Sequence, residues 1–546
     1  MFATLGSYAL LLSVASAVAI PPISELRPKD IFPSGYTPVK ATCPSTPLVR
    51  AANGLSSSET AYISARQAVA NPALAAWLTK TGAGFQTSKL PKVALATSGG
   101  GYRSLLTGAG VIQGFDSRDS KVGTSGVFQG LIYQAGLSGG AWLLSSFAGN
   151  NYPTISYLQD NLWEGAFQDS LLIPANFLAA VAYVEITNDI IAKNDAGFPP
   201  TLTDPWGRLL SYQLLQGSDG GVGDTVSGLT TLSNFTSHAV PYPIIVANGV
   251  KVFEDQCAPG PNATIYEIHP YEFGSWDAGV KAFMQTKYLG TSLNNGVVNG
   301  SCYNNYDNLG YALGTSSNLF NEVCSELIIE VTNLTSGIEP ALEVLLALAH
   351  ETSTRDEYAV YPNPFYNSPQ SPLVSSQQDL FLVDGGEALQ NLPMWPLIQN
   401  ARAVDVIIAN DNSADTNNYP NGTSLLMTYT EAQAAGLTRM PVIPSVATFL
   451  SEGLNQHPTF FGCNDASKIT VIYLPNQDYS TASNVSTDQL EYSETQTAAL
   501  IANGQMVASK GGDKNWPTCL GCALMKKTGT TLPSACTACF TEYCYN

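Results

Sequence analysis

The chain has 546 residues, 45% hydrophobic and 12% charged, enough apolar material to bury a full core. Its formal charge of −19 and isoelectric point near 4.5 argue against nucleic-acid binding, which needs a basic footprint, and against recruitment to lipid by anionic headgroups. A prior of one domain per ~150 residues suggests three or four units, but no Pro/Ser-rich linker or charge run separates them, so one large domain over 20–546 is expected.

Met1 to Ala19 contain a short apolar run, Tyr8 to Val18, ending Ala17-Val18-Ala19 before Pro21-Pro22. That is the grammar of a secretory leader with a small-residue cleavage site, although no Lys or Arg precedes the run. It is too short for a spanning helix, which needs ~20 apolar residues. Ser56-x-x-Glu59 then predicts a capping box opening a helix through Ala61 to Thr79. A strand at Val93-Ala94-Leu95-Ala96 runs into Ser98-Gly99-Gly100-Gly101, with helical spacing from Tyr102. The same order recurs: strand-like Leu131-Ile132-Tyr133, the turn Gly136-Leu137-Ser138-Gly139-Gly140, and a helix from Ala141-Trp142-Leu143-Leu144. Leu171 to Val184, broken by Pro174, reads as a core helix, with a lid or lipid-facing element as the alternative. Later strands are expected at Pro243 to Val246, Leu380 to Val383, Val404 to Ala409 and Ile469 to Leu474. Continuous apolar runs are typical of strands covered on both faces. They predict an α/β fold with helices around a largely parallel central sheet.

Five of the ten cysteines fall in the last 28 residues, as Cys519-x-x-Cys522, Cys536-x-x-Cys539 and Cys544. In a cytosolic chain such pairs would suggest zinc. Behind a leader they read as disulfides stapling a C-terminal segment, about 515–546, to the body. Six Asn-x-Ser/Thr sequons, at Asn234, Asn262, Asn299, Asn333, Asn421 and Asn484, fit a secreted, glycosylated surface. The chain ends Glu542-Tyr543-Cys544-Tyr545-Asn546, so no lipid-anchor signal is expected.

Gly136-x-Ser138-x-Gly140 matches a nucleophile elbow. The nucleophile must sit in a strained turn where neighbouring side chains would meet adjacent backbone, and small residues relieve that clash. At a helix N-terminus, free N–H groups can then receive an oxyanion. Gly99-Gly100-Gly101 follows similar logic. A dinucleotide-type GxGxxG from Gly99 would need glycine where Ser104 stands, so an oxyanion donor loop is the reading left. Arg103 places a fork-shaped cation beside that loop, suited to a phosphate. Asp384, at a strand end before Gly385-Gly386, can line the same crevice. The base is open at this level. Only His238, His269, His350 and His457 exist, and His457 follows Ser138 and Asp384 in hydrolase chain order.

These motifs resemble the fungal phospholipase B / lysophospholipase family and, more distantly, the catalytic domain of cytosolic phospholipases A. The matching residues are Ser98-Gly99-Gly100-Gly101-Tyr102-Arg103, Gly136-Leu137-Ser138-Gly139-Gly140-Ala141-Trp142, and Asp384-Gly385-Gly386 with Gln390-Asn391-Leu392-Pro393. Asp204-Pro205-Trp206-Gly207-Arg208, Pro270 to Ser275, Gly314-Thr315-Ser316-Ser317 and the C-terminal cysteines are also similar, while Tyr102 and Ala141 occupy variable positions. The resemblance implies a patatin-like hydrolase fold acting on phospholipids and lysophospholipids through a Ser–Asp dyad. On these positions Ser138 would attack the acyl carbonyl and Asp384 would accept its proton. The amides of Gly100 and Gly101 would hold the oxyanion, and Arg103 the lipid phosphate. Transacylation onto a lysophospholipid is a further implication. No calcium-binding lipid domain precedes the core, so neither calcium nor any other metal or cofactor is expected. The competing expectations are a Ser-His-Asp esterase or peptidase using His457, and a lipid-binding or wall-associated glycoprotein without activity.

Overall fold

The computed structural model describes residues 35–172, 179–321 and 357–545. The expected leader at 1–19, Asn333, His350 and residues 173–178 of the Leu171–Val184 stretch lie outside the described residues.

A twelve-stranded sheet organises the chain. In sequence its strands are β1 (Val49–Ala51), β2 (Val93–Thr97), β3 (Leu131–Gly136), β4 (Tyr242–Val250), β5 (Ile265–Ile268) and β6 (Glu272–Ser275). They continue as β7 (Ala282–Gln285), β8 (Ala359–Pro362), β9 (Asp379–Val383), β10 (Val406–Asp411), β11 (Thr459–Phe461) and β12 (Thr470–Pro475). The sheet order is β11-β12-β10-β2-β3-β4-β5-β6-β7-β1, with β9 pairing both β4 and β8. β12, β10, β2, β3 and β4 are mutually parallel. Every other pairing in the sheet is antiparallel, so the expected parallel centre is extended by an antiparallel half.

The flanking helices include α1 (Ser57–Lys80), α2 (Gly101–Phe115), α3 (Gly139–Gly149), α4 (Thr203–Leu214) and α5 (Leu309–Ser316). C-terminal to them come α6 (Thr423–Ala434), α7 (Glu494–Ser509), α8 (Trp516–Met525) and α9 (Ala535–Tyr543). Alternation within one strand explains the continuous apolar runs. On β2, Val93 and Leu95 join the core of α2, α3 and α7, whereas Ala94 and Ala96 join the opposite core with α1 and α6. Both faces are thus covered.

α1 begins where its cap predicts: Ser56 Oγ accepts the Glu59 N–H at 3.1 Å. The Glu59 side chain differs from a capping box, because Arg402 Nε donates to it at 2.9 Å inside the core. Cys519–Cys539 and Cys522–Cys536 join α8 to α9, and Cys463–Cys544 ties the tail to the segment after β11. Cys43–Cys302 closes a far longer loop. The paired CxxC units are therefore disulfide-bonded. No described helix is long and apolar enough to cross a membrane.

Candidate active site

β3 ends at Gly136 and α3 starts at Gly139, which leaves Leu137 and Ser138 as a two-residue elbow, with Ser138 at φ 49° and ψ −128°. Such a conformation costs a serine on the order of 1–3 kcal/mol, so the surroundings must impose it. They do. The Ser138 N–H donates to both the carbonyl oxygen and the Oγ of Ser316, at 3.0 and 2.9 Å, while its carbonyl accepts the Trp142 N–H at 3.0 Å. Behind it, a β-carbon on Gly139 would lie 2.1 Å from the Gly101 oxygen and 2.7 Å from the Gly101 nitrogen. The N-termini of α2 and α3 therefore meet backbone to backbone, which any side chain at 139 would prevent.

Gly100 (φ 136°) and Gly101 (φ 58°) adopt conformations open to glycine, and turn the chain from β2 into α2. Among the described residues, the N–H groups of Gly100, Gly101 and Gly139 have no acceptor. Unspent amides at two abutting helix N-termini form a local positive potential beside Ser138.

Asp384 reaches the same place from the other direction. Gly136 pairs with Ile245 on the parallel β4, and Val383 pairs with Asn248 on the antiparallel approach. Two residues past Gly136 and one past Val383, Ser138 and Asp384 emerge at the same level of β4. The Asp384 turn is fixed by Asn318 O, which accepts the Asp384 N–H at 2.8 Å, and by Ser316 O, which accepts the Gly385 N–H at 3.2 Å. Asn248 Nδ2 donates to the Asp384 and Gly385 carbonyls at 3.0 and 2.9 Å. The carboxylate Oδ1 accepts the Gly386 N–H at 2.6 Å. Ser138 and Asp384 are both nearly buried, 8% and 4% exposed.

A pocket of about 60 Å³ opens on Ser138 and Gly101, walled by Trp142, Trp206, Phe320 and Leu490. Both indole N–H groups are satisfied by a single atom, Ser317 Oγ, at 2.9 and 3.0 Å, leaving the wall predominantly apolar. Leu319, Thr487 and Asp488 complete the lining. Arg103 does not line this pocket. It is buried, with its guanidinium donating to Asn412 O at 2.9 Å, Val485 O at 2.5 Å and Thr487 Oγ1 at 3.0 Å. Burial pulls its pKa down to about 10. In this arrangement the fork fastens the 485–487 segment over Gly101, where a β-carbon would lie 2.6 Å from Thr487 O.

The described histidines sit elsewhere. His238 packs on Tyr62, His457 Nδ1 lies 3.0 Å from Pro458 O before the edge strand β11, and His269 Nδ1 bonds Tyr242 Oη at 2.7 Å. Burial lowers the His269 pKa to about 3, which keeps that ring neutral. Glu59, His269 and Glu272 do converge, with potential ligand atoms within 4.8 Å. Arg50 grips both Glu272 oxygens at 2.6 Å, however, and Arg402 holds Glu59 and Glu267, so guanidinium already occupies the place of a cation. Of the sequons, Asn262, Asn299 and Asn484 are exposed. Asn234 Nδ2 donates to Asn151 O at 2.7 Å, and the buried Asn421 donates to Thr416 Oγ1 at 3.1 Å.

Residues 93–546 match the family described as the lysophospholipase catalytic domain. Lysophospholipase 2 of Aspergillus fumigatus is 39% identical, covering 96% of this chain and 95% of its own length. The chain belongs to the lysophospholipase family. Lysophospholipase 1 of Candida albicans is 38% identical over 94% of this chain and 89% of that protein. Among solved structures, human GIVD cytosolic phospholipase A2 superposes with a TM-score of 0.68 at 18% identity, covering 89% of this chain and 69% of that one. At that identity the likeness concerns the fold, which is therefore the patatin-like α/β hydrolase architecture. Ser316, Ser317, Asn248 and Asn391 surround this candidate site, and motif reading assigned none of them a role of its own. Ser316, Ser317 and Asn248 act through backbone or indole contacts and Asn391 also through Ser413 Oγ; Gly314–Ser317 and Gln390–Pro393 carried a sequence signal, whereas Asn248 carried none.

Proposed function

We propose that this lipid ester hydrolase cleaves acyl esters of lysophospholipids and phospholipids by a serine mechanism with a Ser138–Asp384 dyad. The observation that carries the reading is the strained Ser138 at the head of α3, level with Asp384 and facing the unpaired amides of the glycine loop. Asp384 takes the proton as Ser138 Oγ adds to the acyl carbonyl. The Gly100 and Gly101 N–H groups, joined by that of Gly139, receive the charge that develops on the carbonyl oxygen. Collapse releases the glycerol oxygen, which recovers the proton from Asp384, and leaves an acyl-serine. Water activated by Asp384 completes hydrolysis. A lysophospholipid hydroxyl in place of that water gives transacylation. The apolar walls of Trp142, Trp206, Phe320 and Leu490 suit an acyl chain.

In this reading Arg103 meets the lipid phosphate only where phosphate oxygens take the places now held by Val485 O and Thr487 Oγ1. Secretion is supported by the disulfides, which need an oxidising compartment, and by the exposed sequons Asn262, Asn299 and Asn484. One structure of the GIVD enzyme is a complex with methyl gamma-linolenyl fluorophosphonate, a reagent class that phosphonylates nucleophilic serines. The test is fatty acid release from lysophosphatidylcholine by wild type, Ser138→Ala and Asp384→Ala, with fluorophosphonate labelling alongside. Loss of release in both folded variants and of labelling in Ser138→Ala is expected. An active Ser138→Ala would overturn the dyad.

A further inference from the structure

Asn391 lies where the three parts of the candidate site meet. Its backbone oxygen accepts the Gly99 N–H at 3.0 Å, and its Nδ2 reaches the Gly99 oxygen at 3.4 Å. One residue therefore brackets both sides of the Gly99 unit, immediately before the two glycines whose amides face Ser138. Its Oδ1 is wedged between two turns of the chain, the Gly99 loop and the Asp384–Gly386 turn. A β-carbon on Gly99 would lie 2.4 Å from this oxygen and 2.9 Å from Ser138 Cβ. A β-carbon on Gly386 would lie 2.5 Å from the same oxygen and 3.1 Å from Asp384 Oδ1. The amide thus sits beside the nucleophile, the carboxylate and the donor loop together.

It is also anchored from behind. Asn391 Nδ2 donates to Ser413 Oγ at 2.8 Å, and Ser413 donates to Asp411 Oδ1 through its Oγ at 2.6 Å and its N–H at 3.0 Å. Asp411 Oδ2 accepts Tyr473 Oη–H at 3.1 Å, which ties the chain of bonds to β12. Asp411, Ser413 and Tyr473 are all buried, so this support exchanges poorly with solvent. The donor of the amide is fixed by Ser413, whose hydroxyl proton is committed to Asp411 and leaves only a lone pair for Asn391.

We propose that Asn391 is a positioning residue: held through Ser413 by Asp411, it locks the Gly99 unit to the Asp384 turn and so sets the aim of the Gly100 and Gly101 amides at Ser138. The proposal rests on the dyad reading above. Misplacing preorganised donors is costly because they act only in the transition state, so the loss should appear in kcat and not in KM.

The experiment measures kcat and KM for lysophosphatidylcholine hydrolysis in Asn391→Ala, Ser413→Ala, the double variant and Ser138→Ala, with thermal melts. The expected result is a fall in kcat on the order of tenfold to a hundredfold for Asn391→Ala, with KM within about twofold. Ser413→Ala should fall less in the same direction, and the double variant should be no worse than Asn391→Ala alone. A folded Asn391→Ala with wild-type kcat beside an inactive Ser138→Ala overturns the proposal and leaves the dyad standing. Losses that multiply in the double variant overturn the link through Ser413. If Asn391→Ala does not fold, Ser413→Ala decides by the same kcat criterion. Wild-type activity in Ser138→Ala overturns the dyad and the proposal together.

Discussion

Ser316 grips the Ser138 N–H with two oxygens, its carbonyl at 3.0 Å and its Oγ at 2.9 Å, and the same carbonyl also receives the Gly385 N–H at 3.2 Å. One residue at the end of α5 therefore sets the spacing between the elbow and the Asp384 turn. Its Oγ–H donates to Val246 O at 2.6 Å, which fixes the assembly to β4.

Ser316→Ala removes the Oγ contacts and keeps the carbonyl. Relaxation of the elbow should then cost about 1 kcal/mol of stability and lower kcat roughly tenfold. Melting curves with the rate of fluorophosphonate labelling check this. An unchanged labelling rate would show that the carbonyl alone maintains the elbow.

Arg103→Lys replaces a fork serving three acceptors with one point charge. The 485–487 segment should loosen and hydrolysis should drop on the order of a hundredfold. Comparing substrates separates the two functions of the guanidinium. A loss larger on lysophosphatidylcholine than on a neutral glycerol ester supports phosphate binding, whereas equal losses mean that Arg103 only fastens the segment. Thr487→Ala, which removes one acceptor, should leave substrate preference unchanged.

His457 contacts its own loop before β11, so His457→Ala should retain wild-type kcat, and a collapse of activity in a folded variant would revive a histidine base. His269 is different in kind. Buried against Tyr242 and the Arg402 ion pairs, it should melt several degrees lower as His269→Ala while sparing residual kcat.

The turns that carry Ser138, Gly100, Gly101 and Asp384 were legible because each motif is a local solution to a strand-to-helix or strand-to-turn problem, written within a few residues. The parallel strands were legible for the same reason, as unbroken apolar runs. Of the antiparallel half only β9 was, through Leu380 to Val383. β5 and β6 carry Glu267 and Glu272, buried in the sheet and neutralised by Arg402 and Arg50, so their strands lack an apolar signature. Ser316 and Asn248 escaped because they work through partners 178 and 136 residues away. Arg103 was visible as a cation beside the loop, but its acceptors lie 309 to 384 residues on, and those fix its present orientation.

Stability should fall as pH rises from 4 to 7. Burial pushes Asp224 and Asp277 up to about 6 from the ordinary 3.8, even though the Asp277 carboxylate accepts the Ile265 N–H at 2.7 Å and the Trp395 Nε1–H at 2.8 Å. Between those two values the folded chain holds protons that the unfolded chain has released. Each group therefore contributes stability that is complete below pH 3.8 and lost as pH rises through 6. Asp224 is partly solvated, so its share is on the order of 1–2 kcal/mol. Asp224→Asn cannot titrate and should narrow the difference in unfolding free energy between pH 4 and pH 7 by that amount, measured by denaturant titration at both pH values. If the variant and wild type lose the same stability over this range, Asp224 ionises in the folded protein as it does in water.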